Sequence, residues 1–200
     1  MNIMNKPLPS IIYNGQGVAP FSGPSQKIFD LKKQRFTLLP KDASILTQPT
    51  KRFDFLAPPF EPVAFAQDLI KFMYDNNGLG LAANQIGVPY SIFAMRGTPE
   101  NFVCFNPTIV WYSDAIVELE EGCLTFPGLL IKIKRPQHIR VRFHTPNSDI
   151  ETRKFTGLSA RIFQHEYEHL QGKLYTDNVS KLKLDMAVKK SIKYEKKVNA

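Results

Sequence analysis

Cysteine is almost missing from this chain: two residues in 200, Cys104 and Cys123, with no C-x-x-C pair. A disulfide framework is therefore excluded. With no recognisable secretory signal, both thiols are expected to stay reduced in a cytoplasmic setting. No apolar run approaches the ~20 residues that span a bilayer, so no membrane partner is expected. No arginine precedes Arg35, which argues against a mitochondrial transit peptide. Gly78 and Gly80 form a G-x-G that does not continue as G-x-G-x-x-G, so a dinucleotide site is not indicated. No internal repeat is present. Acidic residues are outnumbered, 18 against 26 Lys plus Arg, for a net charge of +8. Much of that excess lies at the end of the chain. There Lys181, Lys183, Lys189, Lys190, Lys193, Lys196 and Lys197 face only Asp185 and Glu195. A solvated helix surface explains this run, and so does attraction to RNA phosphate.

What is present suits one compact unit. A hydrophobic content of 43% over 200 residues can bury a sizeable core. Residues 1–35 hold Pro7, Pro9, Pro20, Pro24, Gly15, Gly17 and Gly23 and are expected as an irregular arm; residues 36–200 are expected as a single catalytic domain. Residues 61–76 read as a helix, with Pro62 in the first turn and a stripe of Val63, Ala66, Ile70 and Met73. Strands are expected near 90–95, 102–110, 115–121, 129–134, 138–144 and 150–155, with Pro99, Pro107, Pro127, Pro136 and Pro146 as punctuation. A helix follows from 157 and a last one from about 180. This order predicts an α+β fold, antiparallel sheets around a central helix with a C-terminal helix.

That central helix carries His165-Glu166-Tyr167-Glu168-His169. Residues four apart share a helix face about one turn (~6 Å) along the axis. Both imidazoles can therefore reach one divalent ion at the ~2.0–2.1 Å such a bond needs, while Glu166 reaches a water beside it. Leu158, Ile162, His165 and His169 run at steps of three and four, and Gly172 offers a left-handed stop.

Two histidines leave the ion short of a protein ligand. A zinc endopeptidase pattern would place a third His at 175, where the chain has Tyr175. A pattern with a glutamate on a later helix would find only Glu195 downstream. The best upstream residue is Cys123, in a Gly- and Pro-bounded loop, because Cys with two His is an open catalytic set. Cys104, in an apolar run, is expected to be buried and inert. His138 and His144 alternate with Arg140 and Arg142 along a strand and are expected on its solvated face.

Three segments in order, Gly78-Leu79-Gly80-Leu81-Ala82-Ala83-Asn84-Gln85, Glu121-Gly122-Cys123-Leu124-Thr125 and the histidine helix, resemble the peptide deformylase family. Its marks are G-x-G-x-A-A-x-Q, E-G-C-L-S and H-E-x-D-H. The resemblance covers roughly residues 38–196. Thr125 stands where the family has Ser, and Glu168 where it has Asp.

The resemblance implies hydrolytic removal of the formyl group from the N-terminal methionine of nascent polypeptides, releasing formate. It implies one divalent metal ion on Cys123, His165 and His169, ferrous iron in the cell first, with Zn²⁺, Ni²⁺ or Co²⁺ as alternatives. Glu166 is implied as the proton acceptor from water and the donor to the leaving amine. The Leu124 backbone N–H and the Gln85 amide are implied as oxyanion donors. Leu79, Leu119, Leu158 and Ile162 are implied around the methionine side chain. Arg161 is expected at its rim, with the guanidinium in solvent, and Gly80 is expected to pair with substrate backbone. Glu168 is expected to brace the site through Arg135. The Lys-rich last helix is implied as a ribosome-docking element.

Two other functions compete. A zinc endopeptidase would digest casein; a basic RNA-binding module with a degenerate metal site would release no formate with added metal.

Overall fold

The computed structural model describes residues 36–198, with side chains to residue 193. The expected arm at 1–35 and the side chains of Glu195, Lys196 and Lys197 lie outside the described residues.

Helix α1 (Pro62–Asp75) begins where Glu61 accepts hydrogen bonds from the Val63 and Ala64 backbone and Pro62 fills the first turn. Its buried stripe is Phe65, Ala66, Leu69 and Met73. Val63 is exposed and Ile70 only half-buried, so the core-facing side is rotated from the expected one. Phe65 explains the rotation. Its ring packs on Phe36 and Phe60, and the larger aromatic area outweighs Val63.

Seven strands follow: β1 (Gly80–Ala82), β2 (Ile92–Met95), β3 (Phe102–Tyr112), β4 (Ile116–Cys123), β5 (Phe126–Pro136), β6 (His138–His144) and β7 (Ile150–Thr156). One five-stranded antiparallel sheet has the order β1-β2-β3-β6-β7, and β4 and β5 pair as a separate antiparallel hairpin. Strand β1 was not expected; three residues are too few to show a periodicity. Pro136 ends β5, and two prolines sit in strand interiors rather than between strands. Pro107 falls where the β3–β6 register shifts, and Pro127 lies in a strand of a two-stranded sheet, places where a missing N–H is tolerated. Along β6, Ile139, Val141 and Phe143 are buried while Arg140 and Arg142 are exposed, the expected alternation, with His138 and His144 half-buried.

Helix α2 (Gly157–Leu170) lies between the two sheets and touches β1, β2, β7 and β5. Nine of its residues are buried, so it is central rather than amphipathic on a surface. It stops at Gly172, whose φ of +69° suits glycine, and whose added Cβ would strike the Thr47 and Gln48 backbone at 2.7–2.8 Å. The last helix, α3 (Lys181–Val198), lays Leu184 and Ala187 on a small core of Leu129, Ile131, Ile133 and Tyr175 under the β4–β5 hairpin. The fold is α+β, with antiparallel sheets flanking α2 and a C-terminal helix, as the element order predicts.

Candidate active site

Two elements deliver the chemistry. Cys123 ends β4, and α2 presents His165 and His169 one turn apart, their ring centroids 5.1 Å from each other. Cys123 Sγ lies 3.2 Å from His169 Nε2, and one donor atom from each of the three residues falls within 4.8 Å of the others. A thiol and two imidazoles, nearly dry, make a donor set suited to a borderline divalent ion with one position left open. His169 Nδ1 and Glu166 Oε2 are buried with no partner among the described residues. The residues fit a metal.

The histidines are held from behind. His165 Nδ1 lies 3.0 Å from Glu121 Oε2, which leaves the other ring nitrogen for an ion. Glu121 is buried and also accepts from Arg135 Nε at 2.6 Å, Arg135 Nη2 at 2.9 Å and Arg161 Nη1 at 2.6 Å. Burial alone would raise its pKa, but the bonds from His165 and Arg135 hold it at about 2. Burial pulls the His165 pKa down, yet Cys123 and Glu121 carry it up to about 10 in the metal-free protein. Burial pushes His169 well below its ordinary value. Arg135 grips Glu168 with both arms, at 2.7 and 2.9 Å, and Asn178 donates to the same carboxylate at 2.9 Å. Glu168 thus meets the arginine in a two-bond, charge-assisted pair.

Glu166 is 4% exposed, and burial, reinforced by the Glu121 charge and opposed by His165, raises its pKa to about 7. Its carboxyl lies against Gly80: a Cβ there would fall 2.3 Å from Glu166 Oε1. Only glycine leaves that space. Gln85 Oε1 accepts from the Ala82 N–H at 2.8 Å, and its Nε2 donates to Thr125 Oγ1 at 3.0 Å and to Cys123 Sγ at 3.5 Å. The Thr125 hydroxyl keeps the contact a serine would make. Asn84 Nδ2 donates to the His169 carbonyl at 2.7 Å, tying the segment after β1 to α2.

These groups open on a cavity of about 550 Å³ lined by Leu79, Gly80, Gln85, Cys123, Leu124, Leu158, Ile162, His165 and Glu166 among others. His169 stands behind this wall, 1% exposed. Leu119 does not line the cavity. It is 43% exposed on β4, while the wall from that strand begins at Glu120. Arg161 departs most from expectation. Its guanidinium is buried, bonded to Glu121, to the Ile133 carbonyl at 2.9 Å and to the Val117 carbonyl at 2.6 Å. Glu121 and the two carbonyls replace water as its partners, and the electrostatics favour the inward position.

The sequence reading assigned no role to Glu121, Asn84 or Tyr175. A signal existed for Glu121 and its partner. Leu129, Ile131, Ile133 and Arg135 share one side of β5, so a charge at the fourth position asks for a buried partner. Tyr175 is buried, with its hydroxyl donating to the Leu129 carbonyl at 2.8 Å and its ring beside His165, so it is a wall and not a ligand. Cys104 is fully buried, and burial raises its pKa well above the ordinary value, as expected of an inert thiol.

Comparison with known proteins agrees with this geometry. The family model for polypeptide deformylase matches residues 35–185. A peptide deformylase of Wolbachia pipientis wMel is 42% identical over 142 residues, covering 64% of this chain and 79% of its own length. One from Afipia carboxidovorans is 37% identical over 162 residues, covering 76% and 95%. Among solved structures, a peptide deformylase from Synechococcus elongatus in complex with actinonin superposes with a TM-score of 0.73. It is 30% identical and covers 80% of this chain and 88% of its own. A donor set of one thiol and two imidazoles, a buried carboxyl beside it and a family match across three quarters of the sequence lead to one conclusion: this chain belongs to the polypeptide deformylase family.

Proposed function

We propose that the chain's reaction, hydrolytic removal of the formyl group from the N-terminal methionine of nascent polypeptides, runs at one divalent ion held by Cys123, His165 and His169. The observation that carries this is the meeting of those three donors within 4.8 Å, beside a buried Glu166 whose Oε2 has no partner among the described residues. Such an ion supplies Lewis acidity that brings the pKa of water toward neutrality. Ferrous iron is the ion we assign in the cell; Zn²⁺, Ni²⁺ and Co²⁺ suit the same donors.

Glu166, with its pKa near 7, is placed to take a proton from the attacking water and return it to the leaving amine. The Gln85 amide, fixed by Ala82 and Thr125, and the Leu124 backbone N–H stabilise the charge that develops on the formyl oxygen. Strand β1 is at the edge of its sheet, so Gly80 can pair with substrate backbone and read many sequences. The first side chain enters the cavity past Leu79, Leu158 and Ile162.

The test is formate release from formyl-Met-Ala-Ser after anaerobic ferrous loading, with Glu166→Ala as control. A loss of at least ~10²-fold is expected for removal of a placed base. A near-normal rate in the variant reassigns that role.

Residues 36–200 act in this reading as one cytoplasmic catalytic unit that meets its substrates at the ribosome. Lys183 and Lys190 on α3 face Glu118 and Glu120, at 3.0 and 3.8 Å. Lys181, Lys189 and Lys193 are exposed with no carboxylate partner among the described residues, and they are the cations assigned to ribosomal RNA. Reversing these three to Glu should weaken ribosome co-sedimentation at low salt. Equal sedimentation would remove α3 from docking.

A further inference from the structure

The reaction leaves the outer side of β6 and β7 unused. Phe105 stands opposite His144, and Ile92, Ala94 and Phe105 share a core with Phe65 and Leu69 of α1. Helix α1 therefore covers this side of the sheet over β2 and the start of β3. Farther along, strand pairing sets Trp111, Arg140 and Lys154 in one row and Thr108, Arg142 and Thr152 in the next, and all six are exposed. Directly opposed residues point to the same face, so the two rows make one surface. The flanking rows, His138 with Thr156 and His144 with Ile150, hold no acid either. Glu151 stands opposite buried Phe143, on the other face. Arg140, Arg142 and Lys154 form no ion pair among the described residues. Arg52 adds to the same field: burial first, then the charges of Arg52 and Arg142, hold His144 below its ordinary pKa. Arg140 against Lys154 is a like-charge pair, which by itself destabilises a sheet. An anion lying along the rows reverses that cost. Trp111, the only tryptophan in the chain, is 45% exposed, and no guanidinium lies over its ring among the described residues.

We propose that this face binds single-stranded RNA, with Arg140, Arg142 and Lys154 on the phosphates and a base stacked on Trp111. A cationic surface tracks a phosphate backbone, and an exposed aromatic ring beside it takes any base, since every base has a π-face. A duplex fits less well, because its bases are stacked on each other and present no free face to the ring. The choice of RNA rests on the ribosomal setting proposed for the chain. Strands β1 and β7 are opposite edges of the five-stranded sheet, so a strand of RNA on β6 and β7 leaves the substrate path at Gly80 free.

Trp111 reports on this directly in the metal-loaded full chain. Its fluorescence should fall on titration at low salt with an oligo(U) of about 12 nucleotides, a length within the span of such sites. Arg140→Gln combined with Arg142→Gln should weaken the binding read by this signal by about tenfold or more. The same pair should reduce the salt slope of log affinity by about 1.4, two phosphates at ~0.7 each. Trp111→Ala is read by anisotropy of a labelled strand, in a background of Lys181→Glu, Lys189→Glu and Lys193→Glu that silences α3. It should weaken binding by about fivefold or more. The α3 reversals alone should leave the Trp111 quench unchanged, so the two RNA contacts stand or fall separately. Formate release by the Arg140, Arg142 and Trp111 variants should equal that of the wild type, which shows that they fold. No quench by oligo(U) overturns the proposal, and so does a quench that the paired arginine substitutions leave intact. Heparin quenching as deeply as oligo(U) would reduce the face to a plain polyanion surface. Tighter binding of oligo(dU) would assign it to DNA, and a blue shift on phosphatidylserine vesicles with no response to oligo(U) would assign it to a membrane. Each of these three outcomes overturns the proposal as well.

Discussion

Glu121 Oε2 lies 3.0 Å from His165 Nδ1, across 44 residues of sequence, while the other oxygen of the same carboxylate takes Arg135 and Arg161. One buried acid orients a histidine of the candidate metal set, and two arginines hold the acid.

Replacing Glu121 by Gln should therefore loosen the metal rather than abolish the fold. The amide presents one acceptor oxygen where the carboxylate serves both arginines and His165. Metal affinity should fall by about 10–100-fold, the usual cost of losing an outer partner of a ligating histidine, as read by competition with a chromophoric chelator. Undiminished affinity would separate Glu121 from the metal donors.

Acid should find the same residue in the metal-free protein. Glu121 is held at about 2 against an ordinary 4.5. The unfolded chain thus binds the proton first as pH falls. The resulting stabilisation is complete above about 4.5 and disappears as pH approaches about 2. Urea midpoints across that window should fall more steeply for wild type than for Glu121→Gln. Parallel curves would refute the linkage.

Gly80→Ala places a methyl where Glu166 Oε1 now sits, 2.3 Å from the new carbon. The carboxyl is buried and has little room to retreat. Turnover should drop by about 10²-fold, matching displacement of a proton-transfer group, with metal content retained by elemental analysis. An active Gly80→Ala enzyme would show that Glu166 reaches the reaction from another rotamer.

Removing residues 180–200 should do more than delete positive charge. Leu184 and Ala187 pack on the cluster of Leu129, Ile131, Ile133 and Tyr175 beneath the hairpin whose first strand ends in Cys123. Uncovering a few such side chains costs on the order of 2–5 kcal/mol. The truncated chain should melt at lower temperature and lose metal faster, whereas reversing exposed lysines of α3 should leave both unchanged. Equal melting of the truncated and full-length proteins would make α3 an appendage.

Much of the site was legible along the chain because helical period is a local property. His165, Glu166 and His169 declare their shared turn by spacing alone, and the alternation in β6 declares its faces just as directly. Short β1 and the rotated stripe of α1 were not legible. Three residues carry no period, and Phe65 outbids Val63 only when Phe36 and Phe60 are there to meet it.

The sequence by itself determined the order of the longer elements, the histidine helix and, through three ordered motifs, the family and its chemistry. Tertiary structure alone decided that Cys123 reaches His169, that Glu121 backs His165, that Leu119 misses the cavity and that Arg161 turns inward. The reason is physical. A turn of helix is set by neighbours three and four residues away. The meeting of a hairpin with a helix depends on register, packing and buried charge balanced over separations of 40 residues or more.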